Sequence, residues 1–182
     1  SSIVEFYRVA SVNAGGVSFP TETLGASTSR SPQILLVSAF DRLQRSSLFW
    51  ADVGSVGTVK RMDIRSINSF DSTAVYARGL SNLGYSFVSV SNESLDSVNP
   101  SLYDVVIWVS GEESTFDETF SVSEQEWVRS AIDSGTFLVA SGSEILWDLD
   151  AQGNDADRQF VEDVFQSTME SDDAEVYSAT GV

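Results

Sequence analysis

Three carboxylates stand where an acid–base pair could be assembled. Glu112 and Glu113 lie in Ser110-Gly111-Glu112-Glu113-Ser114, and Glu144 lies in Ser141-Gly142-Ser143-Glu144. Each group follows an apolar run that reads as a strand. Two carboxylates at the right separation can protonate a leaving oxygen and activate a water or form a covalent intermediate. The competing reading is structural, because acids at such turns commonly cap helix N-termini and loop amides. Ser114 and Ser143 offer hydroxyls, but a Ser-Lys dyad would have to use Lys60, the single lysine, in a long loop far along the chain. Asp41-Arg42 follows the first apolar run. Arg42 suits an ion pair with a neighbouring acid such as Glu112, or a grip on an anionic substrate.

Asp148-Leu149-Asp150-Ala151-Gln152-Gly153 opens like a calcium loop, with Asp155 just beyond. It then departs from that pattern, since Gln152 and Gln159 stand where oxygen ligands of the loop's middle and end are needed. Its alternative is a charge cluster at the start of a helix, with Asp155 and Asp157 favoured by the helix dipole. Calcium at Asp148, Asp150 and Asp155 is therefore the one cofactor the sequence raises, against an expectation of none. Among the aromatics, Trp108 and Trp127 fall on apolar strand and helix positions and read as core. Phe49-Trp50 falls in a polar loop and reads as a surface platform on which a sugar could stack.

Composition narrows the chemistry further. The 182 residues contain no histidine and no cysteine. That excludes Ser-His-Asp and Cys-His catalysis, zinc held by Cys or His, and disulfides. The net charge is −17, yet residues 1–100 hold eight acids and eight bases, while residues 101–182 hold nineteen acids and two bases. The whole imbalance lies in the second half. Such a surface repels phosphate backbones, so nucleic acid is not an expected partner. No apolar run is long enough for a membrane span. No signal peptide opens the chain, and a targeting segment is expected to have been removed or to lie outside this sequence.

The elements that must position these residues alternate. Gln33–Phe40 is a continuous apolar run suited to a central parallel strand, followed by a long loop over 41–67. A helix is expected over 71–83, stopped by Gly84. Strands are expected at 85–91, 105–109 and 136–140. Helices are expected at 124–134, opened by a capping box at Ser123-Glu124-Gln125-Glu126, and at 155–166. Strand–helix alternation predicts an α/β fold: a flavodoxin-like, open, mostly parallel sheet with helices on both faces. Such sheets bind ligands outside the carboxyl ends of their strands, where Asp41, Glu93, Glu112 and Glu144 fall. Ahead of this unit, residues 3–13 read as an extended strand and Asn13-Ala14-Gly15-Gly16 as a turn into a second strand, making an N-terminal β-hairpin. An isolated hairpin is marginal in water, so it must either belong to strands outside this sequence or dock on the α/β unit.

Two resemblances organise the chain. Tyr7, Val9, Val12, Asn13, Gly15, Gly16, Ser18, Pro20, Thr21 and Glu22 resemble the last two strands of a fibronectin type III domain. Phe40-Asp41-Arg42-Leu43, Ser91-Asn92-Glu93, Tyr103-Asp104-Val105-Val106, Gly111-Glu112-Glu113-Ser114-Thr115, Ser141-Gly142-Ser143-Glu144-Ile145 and Asp172-Asp173-Ala174 resemble the class I glutamine-amidotransferase-like domain of secreted bacterial xanthan-lyase-like and golvesin-domain multidomain proteins. In that family's wider fold the nucleophile sits in a Gly-x-Cys-x-Gly turn. Here Glu144 takes the cysteine's place and Leu146 that of the second glycine, which excludes amide transfer by that route. The resemblance divides the chain into fibronectin-type strands over 1–25, a linker over 26–32, and an amidotransferase-like domain over 33–182 that is incomplete at its C-terminus. It implies a secreted or cell-surface, non-catalytic accessory or recognition module of a larger exported protein, with that protein's other domains and polysaccharide or peptidoglycan as partners. The alternatives are a carboxylate-dependent hydrolase or lyase with Glu112, Glu113 and Glu144 at the strand ends, and a structural spacer. Ligand contacts are expected from Asp41, Arg42, Ser114 and Trp50.

Overall fold

The structure, a computed structural model, describes residues 3–27, 31–41, 49–60, 70–112 and 118–172. Ten strands and three α-helices occur among them. They are β1 (Val4–Tyr7), β2 (Val12–Asn13), β3 (Gly16–Val17), β4 (Leu24–Ser27), β5 (Ile34–Ser38), β6 (Trp50–Val53), β7 (Gly57–Lys60), α1 (Ser72–Asn82), β8 (Phe87–Ser91), β9 (Val105–Gly111), α2 (Val122–Asp133), β10 (Phe137–Gly142) and α3 (Asp155–Phe160). The main sheet has six strands in the order β1-β4-β8-β5-β9-β10. β8, β5, β9 and β10 run parallel, and β4 and β1 add antiparallel pairings at one edge. This is the flavodoxin-like α/β arrangement expected from the alternation of elements. The strand order reverses between β5 and β9, and in such sheets the crevice beside the reversal is where ligands bind.

β5 is buried along its whole length, as a central strand between two covered faces must be. Its alternate residues feed two cores. Leu35 and Val37 join Val106, Trp108, Phe120, Val128, Leu149, Phe160 and Val161 on one face. Ile34 and Leu36 join Ala77, Phe87, Ile107 and Val109 on the other, under α1. The first core is aromatic. Trp108 stacks on Phe120 with ring centroids 4.5 Å apart, and Phe160 and Phe165 close around Phe120. A fully buried ring of this kind contributes on the order of 1.5–3 kcal/mol from burial. The expectation that Trp108 belongs to the core holds, and its Nε1 donates to Ser110 Oγ at 3.1 Å. At the β10 edge the second face is less covered, leaving Phe137 and Val139 exposed.

The N-terminal strands dock on the α/β unit. β1 pairs with β4, and β4 joins β8 through Ala26 opposite Val88. Gly25 N–H donates to Ser89 Oγ and Phe87 N–H to Ser27 Oγ. Val4 packs into the second core, and Thr23 is buried with its hydroxyl bonded to Asp71. The linker expected over 26–32 is therefore corrected at its start. Ala26 and Ser27 are strand residues, because Ser27's hydroxyl and Ala26's pairing fasten them to β8. The long strand expected over 3–13 is interrupted after Tyr7, and its partner over 4–7 is β4, while β2 and β3 form the tip of the hairpin.

Three further differences have local causes. α2 starts at Val122, with Ser121 ahead of it, so the capping box sits two residues earlier than expected. Both Ser121 and Ser123 precede an acid by three residues. Phe120, almost wholly buried against Trp108, fixes the chain just before Ser121. The helix expected over 155–166 is α-helical only to Phe160 and continues as a π-turn over Val161–Phe165, ending in left-handed Gln166. A second π-turn, Trp147–Gln152, occupies the segment that resembles a calcium loop. Part of the long loop expected over 41–67 is a β6–β7 hairpin. Among the described residues no helix is long and apolar enough to cross a membrane.

Candidate functional site

A polar crevice of about 260 Å³ opens at the carboxyl ends of β5 and β8, against the start of α2. Asp41, Asn92, Glu93, Glu118, Ser121 and Glu124 contribute to its wall. Asp41 arrives from the end of β5, Asn92 and Glu93 follow β8 directly, and Ser121 and Glu124 come from the first turn of α2. Asp41 and Glu93 thus lie where the strand-end rule expects ligand-facing groups.

Asn92 ties the three elements together. Its Nδ2 donates to Asp41 Oδ2 at 3.1 Å and to Glu124 Oε1 at 2.9 Å. The other carboxylate oxygen of Glu124 accepts from Ser121 N–H at 2.7 Å and from Ser121 Oγ at 2.8 Å. One residue of the helix cap thereby also holds the crevice wall. Ser91 Oγ bonds to Glu93 Oε2. Asn92 Oδ1 is buried and has no hydrogen-bond partner among the described residues. A buried acceptor left in that state is costly, on the order of 1–3 kcal/mol, and its cost is borne where three elements meet. Glu118 adds a second unusual feature, a left-handed backbone with φ 51° at a non-glycine residue. Strain of this kind collects at functional sites.

Two of the three acids that the sequence offers for catalysis, Glu112 and Glu144, lie elsewhere. Glu112 is half-buried just after β9, and Glu144 is half-buried at the turn after β10. The two turns are stitched together, because Ser143 N–H donates to Gly111 O at 2.9 Å. Gly111 needs its positive φ of 60°, and a Cβ there would press on Phe40 at 3.1 Å. Neither Glu112 nor Glu144 lines the Asp41 crevice, and each already has an interaction partner. Glu113, Arg42 and Ser114 lie outside the described residues. The turn carrying Ser143 and Glu144 lacks the hallmark of a nucleophile elbow. Neither residue has a positive φ; the non-glycine positions that do, among the described residues, are Glu118 and Gln166. A strained turn is what thrusts a nucleophile into solvent in such folds. Glu144 instead opens a helical segment, its carbonyl accepting from Asp148 N–H at 2.8 Å.

The calcium candidates are separately engaged. Asp148 is buried, and its Oδ2 accepts from Thr119 N–H at 2.8 Å and Thr119 Oγ1 at 2.9 Å. Asp150 Oδ2 accepts from Met169 N–H at 2.6 Å, tying the segment after the last helix back to the π-turn. Asp155 faces Arg158 at 3.4 Å. Among the described residues no three His, Cys, Asp or Glu side chains are gathered to hold a metal. Hydrogen bonds from Thr119 and Met169 organise this segment around its π-turn.

Trp50 is exposed, at 65% of its surface, as its place in a polar loop predicts. It opens β6 and stands opposite Lys60, whose Nζ lies 5.8 Å from the ring centroid. The sequence marks Asn92 as a strand-end residue and Glu124 as a cap residue, but not the two as partners. No local signal joins positions 32 apart in sequence.

No family model, curated protein or solved structure matches the chain.

Proposed function

We propose that the chain is a non-catalytic recognition module of a secreted multidomain bacterial protein that acts on cell wall or polysaccharide, with its ligand in the crevice around Asn92. The observation that carries this reading is the state of the Asn92 amide. Both of its hydrogen-bonded contacts are to carboxylates, and its buried oxygen has no partner among the described residues. The crevice wall carries acceptors, the carboxylates of Glu93 and Glu124, beside the Asn92 amide. A ligand rich in hydroxyl donors, as a polysaccharide or a peptidoglycan glycan strand is, complements such a wall. The resemblance to amidotransferase-like modules of exported proteins supports the secreted setting, and the lack of histidine and cysteine supports a binding role. No metal or cofactor takes part in this reading.

Calorimetric titration with soluble peptidoglycan fragments and bacterial exopolysaccharide oligomers tests it. Asn92→Ala is expected to weaken binding by roughly tenfold or more, the equivalent of about 1.4 kcal/mol, with retention of the fold checked by circular dichroism because Asn92 also bridges Asp41 and Glu124. Equal affinity of wild type and Asn92→Ala would remove the crevice from the account. Release of reducing ends or of unsaturated uronates by the wild-type protein would favour the carboxylate-dependent hydrolase or lyase instead.

A further inference from the structure

The β6–β7 hairpin has two unlike faces. Ala51, Val53, Gly57 and Val59 are half-buried, whereas Trp50, Asp52, Thr58 and Lys60 are exposed. The register pairs Trp50 with Lys60 and Asp52 with Thr58, so these four form one continuous outer surface. Alternation in a half-buried hairpin explains the polar three. It does not explain an indole on the solvent side, with Phe49 half exposed beside it. A tryptophan so placed offers a flat apolar face, and its strand neighbours stand about 5 Å across and about 7 Å along the hairpin. The ammonium of Lys60 over the ring restrains it, as cation–π contacts do.

We infer that this face is a second glycan-binding surface, on which the C–H face of a pyranose stacks on Trp50 while Asp52, Thr58 and Lys60 hydrogen-bond its hydroxyls. The inference rests on the recognition-module reading and extends it from the crevice to a separate contact. The ligand class is a neutral polysaccharide. The four outward residues hold one acid and one base, and the second half of the chain, with nineteen acids against two bases, disfavours a polyanion. Stacking on an exposed indole requires no ordering of the hairpin beyond its existing pairing, so the hairpin itself loses little conformational entropy on binding.

Native affinity electrophoresis of the full chain in gels containing hydroxyethyl cellulose, galactomannan or dextran tests this directly. Wild type is expected to be retarded by at least one of the three. Trp50→Ala is expected to weaken that retardation roughly tenfold or more, and Trp50→Phe to restore part of it. Trp50 is exposed, so its replacement is expected to leave the amide NMR spectrum of the α/β core unchanged. Unretarded wild type in all three gels, or Trp50→Ala retarded as wild type, overturns the proposal. Asn92→Ala separates the two readings. Retardation lost in Trp50→Ala and kept in Asn92→Ala assigns binding to the hairpin alone. Retardation lost in Asn92→Ala and kept in Trp50→Ala overturns the hairpin surface and leaves the crevice standing.

Discussion

Asp148 shows how a single acid can mislead a reading of sequence and still matter. Its spacing from Asp150 and Gly153 suggests a calcium ligand, but its carboxylate is buried and satisfied by the backbone and hydroxyl of Thr119. That partner lies 29 positions away, so nothing local reveals it. Asp148→Ala is expected to cost about 2–3 kcal/mol, since it orphans a buried N–H and hydroxyl that a charged acceptor now serves. Urea denaturation measures this, and a change near zero would contradict the assignment. Asp163 gives a pH-dependent counterpart at the surface. A hydrogen bond from Arg129 at 2.6 Å, aided by one from Gln159, holds its carboxyl below the usual range. Because the folded form binds its proton less readily than the unfolded form, the pair stabilises at pH values above the ordinary aspartate range. That contribution fades as the pH falls through this range toward the lowered folded value. The difference in urea midpoint between wild type and Asp163→Asn is therefore expected to be largest near neutrality and to close on acidification. A difference that stays constant with pH would contradict it.

At the scale of elements, legibility follows periodicity. The four parallel strands and α1 and α2 are readable because each buries a run or stripe of apolar residues against the sheet, and their ends differ from expectation by only a few residues. The rest depends on pairing at a distance. Leu24–Ser27 is short and small-residued, and it becomes a strand because β1 pairs with it along its length and β8 fastens its other edge at Ala26, with Ser89 and Ser27 hydroxyls bridging the two. The π-turns are unreadable because their apolar positions fit a helix of ordinary pitch. Gly153 marks the close of the first π-turn, and a Cβ there would stand 2.0 Å from Leu149 O and 2.8 Å from Asp157 Cβ. Neither atom is the loose end of a flexible side chain. Gly153→Ala is expected to destabilise the fold by about 3 kcal/mol or more, through displacement of the π-turn against α3. Thermal denaturation followed by near-UV dichroism measures this, and a midpoint matching wild type would show that the turn yields without cost.

For the whole molecule, the charge and the missing residue types converge on one description. The acids of the second half include the cap of α2, the buried acceptor Asp148 and several side chains spread over the surface, so the charge of −17 does not mark one catalytic centre. The candidate site draws on both halves, Asp41 and Asn92 from the neutral one and Glu118 and Glu124 from the acidic one. Its position is partly legible from topology: ligands in parallel sheets bind outside the carboxyl ends of the strands, but the crevice lies at the ends of β5 and β8 rather than at the reversal between β5 and β9. Its composition is only half legible. Asp41 and Glu93 follow strands directly, whereas Glu124 enters through a helix cap and Glu118 through a left-handed turn. The most direct test of this account follows the Asn92 side-chain amide by two-dimensional nitrogen–proton NMR during titration with peptidoglycan and polysaccharide fragments, while the fragments are assayed for cleavage. A saturable shift of the Asn92 Nδ2 resonances is expected with the fragments left intact; resonances unmoved by every fragment, or fragments cleaved as they bind, would overturn the assignment of Asn92 to a binding crevice.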